Sequence, residues 1–530
     1  MNEQRAYDAV VVGAGPNGLA AAIELARAGK SVVVYEAAAT AGGGCRSAEL
    51  TLPGFVHDVC SAIQPLALAS PFFKSMPLHD LGVRFCHPET PLAHPLDDGD
   101  AASLERSVGE TAEAFGDDAR AYRKLMGPFV RATDKLVLEI LGPLRLPRHP
   151  LALARFGPPA VRSAYGLASA RFSGDRARAL FAGIAAHSML SLRRPPTAAY
   201  GILLGLVGHA YGWPTIEGGA QKLTDALVAY LESLGGHIVT SRPISNMREL
   251  PRARAVLFDL TPRQMVAIAG ELLPARYKRR LASYEHGPGV FKVDFALSEP
   301  IPWKADACRR AGTVHLGGTL EEVAASEDAV VRGRHPDRPY ALLAQQTLFD
   351  PTRAPAGKHT VWTYCHVPSG STVDMSERIT NQIERFAPGF RDTIIAKATI
   401  SATEYEAYNA NYIGGDISGG LQHFGQLFTR PAIRLDPYST PNKKLYICSS
   451  SSPPAAECTA CAAASPRAQP CAEPSSLETP ILLSADEFEA LEETLEILQD
   501  QDLMDALKSS EKDIKAGRLT SLTDLRREHG

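Results

Sequence analysis

The sequence predicts an α/β fold, and three observations carry that reading. Ala9-Val-Val-Val12 is a short apolar β-branched run bounded by a glycine turn, as expected of a parallel strand buried on both faces. Gly13, Gly15 and Gly18 then spell G-x-G-x-x-G, and Leu19, Ala22, Ile23 and Ala26 recur at helical spacing from about Pro16 to Arg27. Gly29 ends that helix, and Ser31-Val-Val-Val-Tyr35 reads as a second strand with Glu36 at its end.

Each part of this unit has a job in holding a dinucleotide. Gly13 permits the tight turn, Gly15 lets backbone N–H groups approach a pyrophosphate, and Gly18 allows close packing of helix on strand. The helix N-terminus aims free N–H groups at phosphate. Glu36, about twenty residues past the turn, is placed to accept from ribose hydroxyls and disfavours a 2′-phosphate. The triplet alone does not separate NAD from FAD.

A second glycine loop, Ala41-Gly42-Gly43-Gly44-Cys45-Arg46-Ser47, follows the ribose acid. With it the stretch resembles the FAD-binding start of the amine oxidase and phytoene desaturase superfamily. The resemblance implies FAD as cofactor, with Gly43 and Gly44 wrapping the flavin side of the dinucleotide and Arg46 meeting the pyrophosphate.

The chain of 530 residues exceeds one ordinary domain, and its apolar content of 45% suits soluble globular domains. Met1 to Ala6 is polar, so no secretory signal is read there, and the longest apolar run, about Ala198 to Gly208, is too short and glycine-rich to span a bilayer. Nine scattered cysteines suit a reducing cytoplasm.

Leu52-Pro-Gly-Phe-Val-His-Asp-Val-Cys-Ser61 resembles the segment after the glycine loop in phytoene desaturase-like proteins grouped as the pyridine nucleotide-disulphide oxidoreductase domain family. His57 and Asp58 within it admit a proton-transfer role or a positioning role near the flavin. Roughly Ser70 to Trp213 reads as a helical insertion, with no acidic side chain from Leu141 through Gly174. That basic, apolar surface either makes a peripheral contact with anionic lipid or packs in the substrate domain with its arginines reaching outward.

Pro214 to Ile244 returns to nucleotide binding: Glu217-Gly-Gly219, a helix bearing Leu223, Leu227 and Leu231, then the strand His237 to Thr240. The resemblance places Ile244 beside the adenine. Ala255 to Pro262 reads as the next strand, and Val290-Phe-Lys-Val-Asp-Phe-Ala-Leu297 alternates as a half-buried strand should. With Ile301 to Trp303, Thr313 to Gly318 and Gln345 to Asp350 it suggests a mixed sheet under the substrate.

After Lys444 to Ser449, the expected last strand, family members carry P-P-G-G-G-V-H-G-M-C-G, where this chain has Pro453-Pro-Ala-Ala-Glu-Cys-Thr-Ala-Cys-Ala462. A coding sequence GGC GGC GGA GTG CAC GGC ATG TGC GGC encodes the family motif. Read one base on, it encodes A-A-E-C-T-A-C-A, which is Ala455 to Ala462 without mismatch. A frameshift is inferred. It also accounts for Cys458-x-x-Cys461, which lacks a histidine or a second pair, so no metal site is expected.

The tail from Leu477 holds 14 acidic and 6 basic residues, and Ser484-Ala-Asp-Glu487 is a capping box before Phe488, Leu491, Leu495 and Leu498 on one helical face. It resembles the toxin-contacting half of Phd/YefM-type antitoxins, which implies a basic toxin as partner; a solvated helix is the other reading.

The expected organisation is therefore a Rossmann-like FAD-binding domain (1–70, 214–289 and 420–454), an inserted mixed-sheet and helical substrate domain (71–213 and 290–419), an out-of-frame linker (455–476) and a helical appendage (477–530). The resemblance implies a phytoene desaturase-like dehydrogenase that takes a hydride from a C–H bond of a small apolar substrate and passes electrons to oxygen or a quinone. An amine or porphyrinogen oxidase of the same fold, or a non-catalytic fusion with a toxin-binding tail, are the alternatives. No catalytic acid or base is identified, and no nucleic-acid partner is expected.

Overall fold

The computed structural model describes residues 6–141, 147–427, 429–434 and 436–453. The linker and tail expectations lie outside the described residues.

The first strand, Tyr7–Val12, is the middle of a five-stranded sheet with the order Leu445–Ile447, Ala253–Phe258, Tyr7–Val12, Val32–Tyr35, His237–Val239. All four pairings are parallel. A parallel sheet needs helices on both faces, and the valines alternate accordingly. Val11 and Val34 meet Leu19, Ile23, Leu223 and Leu227 of the helices Pro16–Arg27 and Gln221–Ser233. Val10, Val12 and Val33 meet Met265, Tyr277 and Leu281 on the other side. Burying each such side chain contributes about 1.5–3 kcal/mol.

The second sheet has seven strands in the order Ile394–Ile400, Gly289–Leu297, His359–Val367, Ala341–Ala344, Ala311–Leu316, Thr90–Pro95, Ala101–Leu104. Its pairings are antiparallel except that between Ala311–Leu316 and Thr90–Pro95, so the sheet is mixed as expected.

Four local expectations are corrected. The insertion is not wholly helical, because Thr90–Pro95 and Ala101–Leu104 leave it to join the second sheet. The strand expected to run to Pro262 stops at Phe258, and Pro262 opens the helix Pro262–Ala269, where a missing N–H costs nothing. Ile301 to Trp303 and Gln345 to Asp350 are not strands: the Gln345 amide donates to the carbonyls of Cys308 and Ala311, both at 2.7 Å, and accepts from the Trp303 indole at 3.1 Å, drawing both segments out of the ladder. Finally, Gly289–Leu297 is buried along its whole length. Its polar face, Lys292 and Asp294, looks into the protein at the hairpin Ser47–Glu49/Val56–Asp58, and not into solvent.

The apolar run becomes the buried helix Thr197–Tyr211. Among the described residues no helix is long and apolar enough to cross a membrane.

Candidate functional site

The glycine turn adopts φ +103° at Gly13, whose N–H donates to the Tyr35 carbonyl at 2.8 Å. Gly15 caps the following helix without any side-chain bond, and Pro16 is its first residue, which leaves the N-terminus open to an anion. The neighbouring strand delivers Asp259 into the turn, where Oδ2 accepts the Gly18 N–H at 3.0 Å. A Cβ at Gly15 would stand 2.5 Å from that oxygen, and one at Gly18 would stand 2.2 Å from the Gly13 carbonyl. Gly18 thus serves packing, while Gly15 is constrained by Asp259 as well as by the space in front of it.

Glu36 lies where the sequence puts it, at the end of the second strand. One oxygen accepts the Ala14 N–H and the other the Ala38 N–H, both at 2.9 Å, and Arg46 stands 3.3 Å from it. A carboxylate retains further lone pairs for ribose hydroxyls. The second glycine loop lies against the first: Gly42 donates to the Ala14 carbonyl at 2.9 Å, and a Cβ at Gly43 would meet the Gly15 Cα at 3.1 Å. Arg46 donates to the Thr40 carbonyl at 2.6 Å and stacks over Tyr408 at 5.7 Å. Its Nε is buried without a hydrogen-bond partner.

Most of these residues line a cavity of about 710 Å³. Gly13, Gly15, Glu36, Gly43, Gly44, Arg46 and Ile244 are all on its wall; Gly18 is not. Besides the glycine-loop residues, Tyr412 and Ser449, the wall carries an apolar end drawn from the second sheet and the segments covering it: Met189, Leu204, Trp213, Leu342, Trp362 and Tyr364. Among the described residues the only carboxylates on the wall are Glu36 and Asp259, which belong to the glycine-loop end.

His57 and Asp58 do not reach this wall. His57 is buried, 2.8 Å from the Thr51 hydroxyl and 3.4 Å from Asp294, which forms an ion pair with Lys292. Asp58 accepts from Arg353 at 3.0 Å, Ser47 at 2.7 Å and the Ala220 N–H at 2.8 Å, a network that positions the loop before the helix Gln221–Ser233. Among the described residues no group of three or more His, Cys, Asp or Glu side chains could hold a metal.

Sequence reasoning missed Asp259 and the apolar end of the cavity. Asp259 carried a signal, since an acid directly after a buried parallel strand beside a glycine loop stands at the helix N-terminus. Trp213 and the pair Trp362 and Tyr364 carried none, because the tryptophan and the pair come from segments far apart in the chain.

The fold is an α/β architecture in which a Rossmann-like parallel sheet, carrying the glycine turn, is joined to a second, mixed sheet, and residues of both line the cavity. Residues 11–67 match the family described as NAD(P)-binding Rossmann-like domain. The chain is 26% identical to mouse pyridine nucleotide-disulfide oxidoreductase domain-containing protein 2, over 84% of this chain and 90% of that one. It is 29% identical to hydroxyneurosporene desaturase of Cereibacter sphaeroides over 47% of this chain and 52% of the desaturase. An oxidoreductase from Methanosarcina mazei shares the fold, with a TM-score of 0.59 at 17% identity, covering 86% of this chain and 98% of its own.

Proposed function

We propose that the chain is an FAD-dependent oxidoreductase, a phytoene desaturase-like dehydrogenase that takes a hydride from a C–H bond of an apolar substrate. The observation that carries this reading is the continuity of the cavity, from two glycine loops with a buried arginine to a chamber walled by apolar and aromatic side chains. The residues fit the cofactor. Gly13, Gly15, Gly43 and Gly44 leave backbone exposed where a pyrophosphate would lie, the unpartnered Nε of Arg46 has a donor to spare, and Glu36 and Ile244 flank the adenosine end. Bound there, FAD would supply a two-electron acceptor that is reoxidised by oxygen or a quinone.

The chain's own contribution is binding, orientation and exclusion of water. Trp362 and Tyr364, edge to face at 5.1 Å, form one rigid wall, and Trp213 with Met189 forms another. A protonated amine would find no carboxylate at this end among the described residues, which favours an apolar substrate over an amine. The similarity to a desaturase over about half the chain supports the same choice. The exposed Leu151 on the helix Pro150–Ala160 supports peripheral contact with a lipid surface that would deliver such a substrate.

The test is titration of purified protein with FAD and with NAD, read by flavin fluorescence and by calorimetry. Saturable one-to-one binding of FAD is the expected result; binding of NAD with none of FAD would overturn the reading.

A further inference from the structure

Beside the unpartnered indole N–H groups of Trp213 and Trp362 and the hydroxyl of Ser418, the apolar end of the cavity carries a histidine. The turn Ala186–Ser188 ends the helix Asp175–Ala185, and Met189 after it is left-handed, with φ 53°. The turn sets His187 on the cavity wall, edge to face with Trp213 at 5.5 Å. Behind it the strand Ala311–Leu316 carries the fully buried His315, whose Nε2 lies 3.2 Å from the Nε2 of His187. Burial pushes the His187 imidazole down to about 3 and that of His315 well below its ordinary value, so both rings are neutral at neutral pH.

A neutral imidazole has one N–H and one lone pair, so in this contact one ring donates and the other accepts. The surroundings decide which. His94 Nε2 lies 2.7 Å from the Gly318 carbonyl, which only accepts, so the His94 proton is on Nε2 and its Nδ1 is a bare lone pair. His315 Nδ1 and His94 Nδ1 are both buried without a hydrogen-bond partner, so neither serves the other, and a Cβ on Gly183 would stand 2.9 Å from the first and 2.7 Å from the second. A proton on His315 Nδ1 would be a buried N–H with no acceptor, the rarer and costlier kind of orphan. The His315 proton therefore sits on Nε2 and is donated to His187 Nε2. That leaves the His187 proton on Nδ1, which has no hydrogen bond among the described residues, on a ring that lines the cavity.

We propose that His187 reads the substrate, its Nδ1–H donating to an uncharged oxygen acceptor such as a ketone or ester carbonyl carried by an otherwise apolar molecule, with His315 as the positioning residue. The charge state follows from the wall. Arg46 and Arg242 stand at the glycine-loop end with Glu36 and Asp259, so a carboxylate or an ammonium at His187 would be desolvated without a counter-charge. The proposal rests on the oxidoreductase reading for what becomes of the substrate, but its recognition step does not need the cofactor.

The test uses the full chain, with and without added FAD, and three probes: 2-octanone, octane and octylamine. Binding is read by tryptophan fluorescence, since Trp213 and Trp362 line the cavity. Wild type is expected to bind the ketone about 3- to 10-fold more tightly than the alkane, the worth of one hydrogen bond. His187→Leu is expected to remove that preference, His187→Gln to keep part of it through its amide N–H, and His315→Leu to weaken it without touching the probe. On wild-type protein labelled with 15N-histidine, NMR should find His187 protonated at Nδ1, which decides the matter even if a variant fails to fold or no probe binds. Equal affinity for ketone and alkane, tighter binding of the amine, a preference that survives His187→Leu, or a proton on His187 Nε2 would each overturn the proposal. Loss of FAD binding with the ketone preference intact would overturn the flavoenzyme reading alone.

Discussion

Asp259 holds the Gly18 N–H with one carboxylate oxygen at 3.0 Å, so the strand beside the glycine turn ties down the first turn of that loop's own helix. The carboxyl is buried, which raises its pKa to about 7; the Gly18 N–H opposes the shift and the nearby Glu36 carboxylate adds to it. In the unfolded chain the same group titrates near 3.8. Between these values the folded state holds a proton that the unfolded state has released, so stability falls as pH rises through that window and levels off above about 7. A pyrophosphate on the loop would favour the protonated form further. FAD affinity is therefore expected to be higher at pH 6 than at pH 8, by roughly 3- to 10-fold, with proton uptake on binding. Asp259→Asn should flatten the profile, as checked by calorimetry in buffers of different ionisation enthalpy.

Gly15 has φ −71°, which suits any residue, so contact alone excludes a side chain there. Gly15→Ala would set its Cβ 2.5 Å from Asp259 Oδ2, and weaker FAD binding with a lowered Tm is expected. Adding Asp259→Ala should recover part of both losses. A double variant no better than the single would show that the cofactor side of Gly15 sets its identity.

Lys292 and Asp294 form an ion pair with no exposed surface, and Asp294 also faces His57. Removing one partner strands the other charge, so Lys292→Met is expected to destabilise by about 3–5 kcal/mol. The double variant Lys292→Met/Asp294→Leu should regain most of that, measured by denaturant unfolding, because a buried pair adds little over well-packed apolar groups.

Where the chain leaves the last strand, Ser449 and Ser450 are on the cavity wall. A version with the reading frame restored after Pro454 would present a glycine turn and a helix N-terminus beyond that point. Such contacts contribute about 1.5–3 kcal/mol for a hydrogen bond to a polarised group and roughly 0.3–1 for the helix. Restoration is expected to tighten FAD binding on the order of 10- to 1,000-fold. Equal affinities would show that the lost motif does not matter for cofactor retention.

The nucleotide half of the protein was legible because its parts are local. Strand, turn, helix, strand and acid fall within Tyr7 to Glu36, and each residue type answers to a backbone requirement at its own position. The cavity's far end was not, because His187, Trp213 and Trp362 meet only through the topology of the second sheet and its helical cover. Lys292 and Asp294 show why alternation misled: period two identifies the two faces of a strand, but the partner of the polar face comes from the hairpin near His57, more than two hundred residues earlier.

On the proposed function the two glycine loops and Arg46 together hold FAD. The most direct measurement is a fluorescence titration of FAD into the full chain and its Arg46→Met variant, with NAD as competitor. The account predicts one-to-one FAD binding in the wild type, roughly 10- to 100-fold weaker in the variant through loss of a charge-assisted contact, and no displacement by NAD. Identical affinities in the two proteins, or ready displacement of FAD by NAD, would contradict it.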